Sequence, residues 1–319
     1  MQASMKSKKL TRREFSIGLA ATMAALPLGA HNQANPKRPI CVFSKHLQWC
    51  KTFDEMAKVA AAIGFDGIDL TVRKGGHIDP ADVVEKLPQA VRAVKEAGLQ
   101  VYMMTAGIND PDDPWTVPVL KTASELGIRY YRMGYLSYDK SQGVAKSLLL
   151  LRKKMAQLAQ LNKKYQIHGA YQNHSGARVG GPVWDIWELV KDLDPRWIGC
   201  QYDIRHATVE GAFTWPLGMD LLKDHIKIIA IKDFQWGQQN DKWVPINVPL
   251  GKGMVDFDAF FNLYKKYQVQ GPISVHYEYP LGDAEHGKSE LKISTNDLMA
   301  AMKADLQTLR GWLLKAGLL

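Results

Sequence analysis

The stretch Ile198-Gly-Cys-Gln-Tyr-Asp203-Ile-Arg-His206 is an apolar run that ends in a carboxylate and an imidazole. Three further runs in the second half of the chain also end in polar side chains: Ile167-His-Gly-Ala-Tyr-Gln172-Asn-His174, Ile228-Ile-Ala-Ile-Lys232-Asp233 and Ile273-Ser-Val-His276-Tyr-Glu278. Near-continuous apolar runs are typical of parallel strands that are buried on both faces. The carboxyl ends of such strands are where a (β/α)8 barrel has its active site. These stretches therefore predict a barrel whose rim carries reactive groups.

The rest of the chain repeats a unit of one strand and one helix. The pattern predicts eight strands, at Ile40–Phe43, Gly67–Val72, Gln100–Thr105, Tyr130–Gly134, Ile167–Gln172, Ile198–Asp203, Ile226–Lys232 and Ile273–Glu278. Helix-like stretches separate them, and the segment from Gln235 to Met254 is predicted to be irregular. Eight alternating units without an internal break predict one α/β domain, a (β/α)8 TIM barrel, over residues 39–319. A doubly wound open sheet is the alternative, but no Gly-x-Gly-x-x-Gly follows the first strand.

Residues 1–30 are predicted to be an export signal and not part of the fold. A basic region leads into Thr11-Arg-Arg-Glu-Phe-Ser16, and an apolar run from Ile17 to Leu28 follows. The arginine pair resembles the twin-arginine export signal of bacteria, with a Sec signal or an uncleaved anchor as the alternative. The apolar run is short for a membrane span. We expect a periplasmic protein with a linker over residues 31–38 and no stable membrane insertion after signal removal.

Charge and cysteine content narrow the class of protein. The 319 residues carry a formal charge of +9; residues 1–30 account for +4 of it, and the remaining +5 includes no dense Lys/Arg run. Nucleic-acid binding requires clustered positive charge, so we expect no nucleic-acid partner. The three cysteines, Cys41, Cys50 and Cys200, have no Cys-x-x-Cys spacing. Neither a cysteine zinc site nor a disulfide framework is predicted.

The strand-end residues form a set of oxygen and imidazole groups. Residues two apart on a strand face the same side, so His276 and Glu278 share a face. His206 is predicted to lie at the start of the loop that follows the strand ending at Asp203. Oxygen and imidazole ligands suit a divalent cation such as Mn, Zn, Co or Mg. Taken singly, each residue has a structural explanation: a strand-end Asp caps a helix, and Lys232-Asp233 forms a surface ion pair. Their occurrence at four consecutive strand ends favours a functional site.

These motifs resemble the xylose-isomerase-like family of sugar and sugar-phosphate isomerases and epimerases, which is related to endonuclease IV. The resemblance covers most of the chain after the linker. It rests on Ala62-Ile-Gly-Phe-Asp-Gly-Ile-Asp-Leu70, Asp203-x-x-His206, Ile231-Lys232-Asp233, Val248-Pro-Leu-Gly-Lys-Gly-Met-Val-Asp-Phe257 and the strand that ends at Glu278. The resemblance implies one divalent metal held by a Glu, an Asp, a His and a Glu from strands five to eight. It also implies paired glutamates that move a proton between neighbouring sugar carbons, while the metal steadies the enediolate oxygens.

Two positions depart from the family pattern. By position, Asp203 matches the metal-binding Asp, His206 the substrate-contacting His and Glu278 the last Glu. Gln172, however, stands where the family has its first Glu, and Ala230 where it has its His. A glutamine offers a carbonyl oxygen but cannot act as a general base. A two-glutamate proton shuttle is therefore not expected.

Other side chains complete the predicted site. Lys232 is expected to stabilise an enolate oxygen or, if desolvated, to act as a base. Three outcomes are open for the metal: His276 or His174 replaces the missing ligand, the site binds metal weakly, or it binds none. The predicted catalytic residues are Glu278, Lys232 and His206. The predicted substrate-binding residues are Arg132, His77 and His174. The predicted ligands of one divalent metal ion are Asp203, Glu278, Gln172 and His276.

The predicted function is a metal-dependent sugar isomerase or epimerase. It removes a proton beside a carbonyl group and stabilises the enediolate. Its predicted partner is a small sugar or keto-sugar. An oligomer is possible. The first alternative is a lyase or hydrolase-type elimination on keto-glycosides, which needs one base. The second is a non-catalytic sugar-binding barrel. An endonuclease ranks third, because it needs a larger set of histidines and acids and a basic groove.

Overall fold

Residues 38–319, which the computed structural model describes, form a closed barrel of eight parallel strands. In these residues the strands are β1 (Ile40–Phe43), β2 (Gly67–Val72), β3 (Gln100–Ala106), β4 (Tyr130–Arg132), β5 (His168–Gln172), β6 (Ile198–Asp203), β7 (Ile226–Ile231), β8 (Asp233–Gln239), β9 (Lys242–Val248) and β10 (Ile273–Val275). All except β8 and β9 belong to the barrel. Pairing of β1 with both β2 and β10 closes it. The (β/α)8 prediction is confirmed.

Helices connect the barrel strands. They are α1 (Phe53–Ile63), α2 (Val83–Glu96), α3 (Thr116–Glu125), α4 (Gly143–Lys164), α5 (Val183–Val190), α6 (Ile204–Gly211), α7 (Trp215–Leu222), α8 (Phe257–Lys266) and α9 (Thr295–Lys315). The boundaries of α1 show why helices form here: the side chain of Thr52 accepts from the amide of Glu55, and Gly64 ends the helix at a φ of 106°. A hydroxyl N-cap and a left-handed glycine are common helix boundaries.

The barrel interior is filled below the rim. Met103, Ala170 and Ile228 come from β3, β5 and β7 and pack together as a small apolar cluster. Contributions from alternate strands are the usual layer arrangement of such barrels. A polar layer is formed by Asp69, whose carboxylate accepts from Thr105 Oγ1 at 2.9 Å and Ser274 Oγ at 2.7 Å. Because these side chains fill the interior, we expect a substrate to meet polar groups at the rim.

The segment that was predicted to be irregular contains an antiparallel hairpin. Strands β8 and β9 pair along their whole length and are joined by Asn240 and Asp241. Both turn residues have positive φ, 49° and 59°. Two such residues match the strand twist in a two-residue hairpin, and Asn and Asp adopt this conformation more readily than most side chains. The prediction was wrong because Pro245 and the polar composition obscured the strand pattern.

The carboxylate of Asp233 fixes the loop that follows the hairpin. Its Oδ2 accepts from the amides of Gly251 at 3.0 Å and Gly253 at 2.9 Å, and its Oδ1 from Val255 at 3.3 Å. A Cβ atom at Gly253 would lie 2.2 Å from Oδ1, so only glycine fits there. Asp233 and Lys232 are both buried. The interpretation of these two residues as a surface ion pair is therefore wrong.

Replacing Asp233 by asparagine is expected to lower the free energy of unfolding by about 1–3 kcal/mol, because an amide nitrogen cannot accept backbone N–H groups. Urea unfolding followed by circular dichroism measures the change. Asp258→Asn is the matched control, since Asp258 is an exposed acid at the start of α8. Equal stability of the two variants would contradict the anchoring role.

Asp305 on α9 makes stability depend on pH. It accepts the amide of Leu250 at 3.2 Å, and burial raises its pKa to about 6. The native state thus keeps the proton that the unfolded chain releases near its ordinary pKa of 3.8. The contribution of Asp305 to the free energy of unfolding is expected to fall, by up to about 3 kcal/mol, as pH rises through this window. Urea unfolding across this pH range should give a flatter profile for Asp305→Asn; identical slopes would contradict the assignment.

The start of the described chain changes one predicted boundary. The predicted export signal over residues 1–30 and residues 31–37 of the predicted linker lie outside the described residues. Arg38, the last predicted linker residue, belongs to the barrel domain: it is buried, and its Nε donates to the carbonyl of Val269 at 3.0 Å. In residues 38–319, no helix is both long and apolar enough to cross a membrane. Cys41, Cys50 and Cys200 are buried free thiols.

Candidate active site

Side chains from the carboxyl ends of β6, β7 and β10 converge on the ammonium group of Lys232. Its Nζ lies 2.8 Å from His206 Nε2, 3.1 Å from Glu278 Oε1 and 3.2 Å from Asp203 Oδ2. Three acceptors match the three N–H groups of an ammonium ion. Burial disfavours the charge, but the two carboxylates outweigh this cost and raise the pKa of Lys232 above its ordinary value. Lys232 is therefore a fixed positive charge rather than a free base.

Asp203 joins β6 to α6 and holds the cluster in place. Its Oδ1 accepts the amide of His206 at 3.1 Å and so caps α6, while its Oδ2 faces Lys232. A side-chain acceptor at this position satisfies an amide that the first helical turn leaves without a partner. The helix consequently begins directly after the strand. His206 lies in the first turn of α6, not in a loop as predicted.

Hydrogen-bonding groups face both ring nitrogens of His206. An ammonium group only donates, so Nε2 accepts from Lys232. Nδ1 lies 2.8 Å from Ser175 Oγ and 3.1 Å from Arg205 Nη1. Burial, together with Lys232, holds the pKa of His206 well below its ordinary value, so the ring is neutral. His174 packs on this ring with centroids 3.9 Å apart.

Glu278 is the acid of the cluster that reaches solvent. Its side chain is 24% exposed, whereas Asp203 is fully buried. Burial favours its neutral form, but the ammonium of Lys232 and the neighbouring His276 hold the pKa of Glu278 well below its ordinary value. His276 Nδ1 lies 3.9 Å from Oε1, and the ring stacks on Phe43 with centroids 4.5 Å apart. An incoming substrate therefore meets an ionised carboxylate.

Gln172 has both ends of its amide engaged. Its oxygen accepts from Tyr135 Oη at 2.7 Å and Arg132 at 2.9 Å, and its nitrogen donates to Asp203 Oδ2 at 2.8 Å. From the sequence, Gln172 was predicted to bind a metal and Arg132 the substrate, and Tyr135 to stack on a sugar ring or to pack at the rim. The structure brings all three together but turns the Gln172 oxygen away from Asp203. Gln172 thus positions Asp203.

The four predicted metal ligands are not arranged as one ligand set. Asp203 and Glu278 lie 3.2 and 3.1 Å from Lys232 Nζ, which occupies the space between them. The Gln172 oxygen accepts from Tyr135 and Arg132, and His276 Nδ1 lies 3.9 Å from Glu278 Oε1. In residues 38–319, one group of three or more His, Cys, Asp or Glu side chains has ligand atoms within 4.8 Å of one another. That group is Asp283, Glu285 and His286, after β10 and outside the cluster.

Further cations surround Phe43 at the rim. Lys45 Nζ lies 6.0 Å, Arg73 Cζ 5.7 Å and Arg132 Cζ 5.8 Å from the centre of the ring. Lys45 and Arg73 were not predicted as site residues, although they follow the first and second strands. The criterion applied to the later strands, a polar residue directly after an apolar run, would have identified both residues. The rim is thus more basic than the sequence analysis suggested.

His77 is not part of the cluster, although it was predicted to bind substrate. It follows β2, and its Nδ1 lies 2.9 Å from Thr71 Oγ1. It lines a cleft of about 970 Å³ beside α2, and the lining of that cleft contains neither Lys232 nor Glu278. The convergence of charged groups, not the volume of this cleft, locates the candidate site.

A closed (β/α)8 barrel with charged groups at the carboxyl ends of its strands has the architecture of a TIM-barrel enzyme. The chain belongs to the xylose isomerase-like TIM barrel family, whose model matches residues 57–296. The family prediction from the strand-end motifs is thereby confirmed. No protein in a search of curated sequences matches the chain.

Solved structures share this fold at low identity. A 3-keto-D-glucoside 4-epimerase from E. coli is 16% identical, with a TM-score of 0.61 over 86% of this chain and 100% of that chain. A probable 3-DHS dehydratase from Bacillus anthracis is 12% identical, with a TM-score of 0.64 over 85% and 98%. A barrel protein from Mycobacterium smegmatis in complex with magnesium is 12% identical, with a TM-score of 0.60 over 84% and 98%. At such identities the likeness shows the fold.

Proposed function

We propose that this protein is a carbohydrate-modifying enzyme that enolises a sugar or keto-sugar. It removes a proton from the carbon beside a carbonyl group. The observation that carries the proposal is the ionised, partly exposed Glu278 beside the buried ammonium of Lys232, 3.1 Å away. A carboxylate supplies the base, and a fixed positive charge stabilises the oxyanion that develops. Isomerisation or epimerisation of a sugar proceeds through this step.

The contacts of Lys232 suggest how the base is activated. All three of its N–H groups have acceptors, so a substrate carbonyl oxygen has to replace one of them. Glu278 is the acceptor nearest to solvent, so the substrate oxygen replaces Glu278 at the ammonium group. Loss of the ammonium contact raises the pKa of Glu278 and makes it a stronger base. Lys232, still held by Asp203 and His206, then faces the enolate oxygen.

A lyase is the second candidate, and the amide of Gln172 favours it. With Gln172 in place of a second carboxylate, the cluster offers one carboxylate base at the rim. One base is enough to remove a proton and eliminate a group from the next carbon. One base is also enough to carry a proton between neighbouring carbons in an isomerisation. Epimerisation at a single carbon needs an additional proton donor on the opposite face.

The test is a screen of aldoses, ketoses and 3-keto-glycosides in D₂O, followed by NMR. Enolisation predicts deuterium at the carbon beside the carbonyl group. The product then separates the candidates, because an isomerase or epimerase gives a rearranged sugar and a lyase an unsaturated one. Deuterium exchange that is equally fast with Glu278→Gln would contradict the proposal.

We also propose a periplasmic location on the basis of the twin-arginine-type sequence in residues 1–30. Cell fractionation of the full chain and of an Arg12→Lys/Arg13→Lys variant tests it. Retention of the variant in the cytoplasm is expected. Export of both proteins at the same level would contradict a twin-arginine route.

A further inference from the structure

Two of the four predicted metal ligands, Asp203 and Glu278, contact an ammonium group in the structure. Asp203, Glu278 and His206 direct one acceptor atom each at Lys232 Nζ. Carboxylate and imidazole groups are also the ligands that Mn, Zn, Co and Mg take in proteins. The same three side chains cannot serve the ammonium and a metal ion at once. The two occupants are therefore alternatives.

The hydrogen bonds of Gln172 agree with a single positive charge at this position. Its nitrogen donates to the same Asp203 oxygen that faces Lys232, at 2.8 Å. A glutamate at 172 would place a third carboxylate in the cluster, against Asp203, and would require more positive charge to offset the repulsion. The neutral amide avoids this requirement. One ammonium with two carboxylates has a net charge of −1, and a third carboxylate would make it −2.

Ala230 removes the remaining ligand position. It is fully buried on β7 and lies beside Asp203 in the register of the two strands. Its methyl group offers no ligand atom and leaves the space on this side apolar. Both departures from the family pattern weaken a metal site. Neither the side chain of Gln172 nor that of Ala230 supplies a charge or an imidazole to a metal.

We propose that the ammonium group of Lys232 takes the place of a divalent metal ion, and that this barrel functions without one. The positive charge that faces the substrate oxygen is then covalently attached to β7. This proposal rests on the proposed function, but its first test measures metal binding and not turnover. Failure of the enolisation screen would leave that binding result unaffected.

The first experiment measures metal content and metal-dependent stability of the wild-type protein. The chain is incubated with Mn²⁺, Zn²⁺, Co²⁺ or Mg²⁺, dialysed and assayed by elemental analysis, and Tm is measured with and without each ion. A His286→Ala background removes the surface group near Glu285 as a source of binding. No retained ion and no rise in Tm are expected. Stoichiometric binding that is abolished by Asp203→Asn would overturn the proposal.

The second experiment removes the ammonium group. Lys232→Ala leaves Asp203, Glu278 and His206 around an open position, and this variant is expected to gain an Mn²⁺- or Zn²⁺-dependent rise in Tm that wild type lacks. Lys303→Ala, an exposed lysine on α9, is the control. A folded Lys232→Ala variant that binds neither ion would count against the assignment. If this variant does not fold, the metal content and Tm of the wild-type protein test the proposal on their own.

A separate observation concerns the charge of the substrate. Lys45, Arg73 and Arg132 crowd around Phe43, and within residues 38–319 none of them has a carboxylate within 4.0 Å. Arg132 is buried, and its Nε atom has no hydrogen-bond partner among the described residues. Like charges held together repel each other. Glu278 and Asp69 offset part of this repulsion, and an anionic ligand relieves the rest.

The geometry points to a substrate with an acidic group, a carboxylate or a phosphate, held by Lys45, Arg73 and Arg132. Glu278 and Lys232 then face the reacting carbons. Arginine and lysine differ in geometry, but both form charge-assisted hydrogen bonds with such groups. This inference also rests on the proposed function, because it names the substrate class of the same site.

Titration calorimetry with D-glucuronate, D-glucose 6-phosphate and D-glucose tests the preference for an acidic substrate. It measures binding and does not depend on turnover. At least one anionic sugar is expected to bind more tightly than glucose, and the two anions separate carboxylate from phosphate recognition. Arg73→Gln or Lys45→Gln should weaken anion binding about tenfold, as expected for the loss of one charge-assisted contact. Lys303→Gln is the control. Equal binding of neutral and anionic sugars, or no effect of these substitutions, would overturn the inference.

Discussion

Replacing Lys232 by methionine is expected to lower the free energy of unfolding by about 3–5 kcal/mol, because it leaves buried charge without a partner. Asp203 and Lys232 are 0% and 2% exposed, and Glu278 is 24% exposed. Methionine has a similar length, so the loss comes mainly from charge and hydrogen bonds. Urea unfolding at neutral pH measures the effect.

Two controls distinguish the effect of losing the Lys232 charge from a general disturbance of barrel packing. Lys303→Met, on the exposed face of α9, should change stability little. The triple variant Lys232→Met/Asp203→Asn/Glu278→Gln removes both carboxylates as well and is expected to recover part of the loss, since replacing a whole buried ion cluster costs less than breaking it. A single variant as stable as Lys303→Met would show that Lys232 does not hold the cluster together.

Replacing Glu278 by glutamine is expected to lower kcat/KM for enolisation by about 10²–10⁴-fold, because the amide cannot accept the proton from carbon. The substitution keeps the shape of the side chain, and Lys232 keeps Asp203 and His206 as acceptors. The fold should therefore survive. The rate of deuterium exchange into the substrate in D₂O is the measurement.

Glu125→Gln is the control for this substitution, since Glu125 is an exposed acid at the end of α3. It should retain wild-type exchange. The near-ultraviolet circular dichroism spectrum of Glu278→Gln shows whether the barrel is intact. Full activity of a folded Glu278→Gln variant would assign the base to another group and would remove the basis of the proposed function.

Strand-end chemistry was accessible from the sequence because a strand has a simple repeat. Apolar runs predicted the parallel strands, and the polar residues at their ends predicted Asp203, Lys232 and Glu278 as site residues. The same reasoning failed for His206, because helix capping by Asp203 was treated as an alternative to a role in the site and not as compatible with it. It also failed for the hairpin, whose Asn240-Asp241 turn lacks the usual glycine. Both signals are present in the sequence but are weaker than hydrophobic periodicity.

The sequence by itself determined the barrel, its family and the groups available at the rim, since these depend on local patterns. Only the tertiary structure decided which groups meet. Closure of the barrel brings Lys232 from β7 between Asp203 of β6 and Glu278 beyond β10, and it leaves His77 in a separate cleft. Hydrogen bonds between residues far apart in the chain depend on the direction of each side chain across the barrel, which one-dimensional spacing does not encode. For that reason the sequence predicted a metal site, whereas the structure shows an ammonium group at its centre.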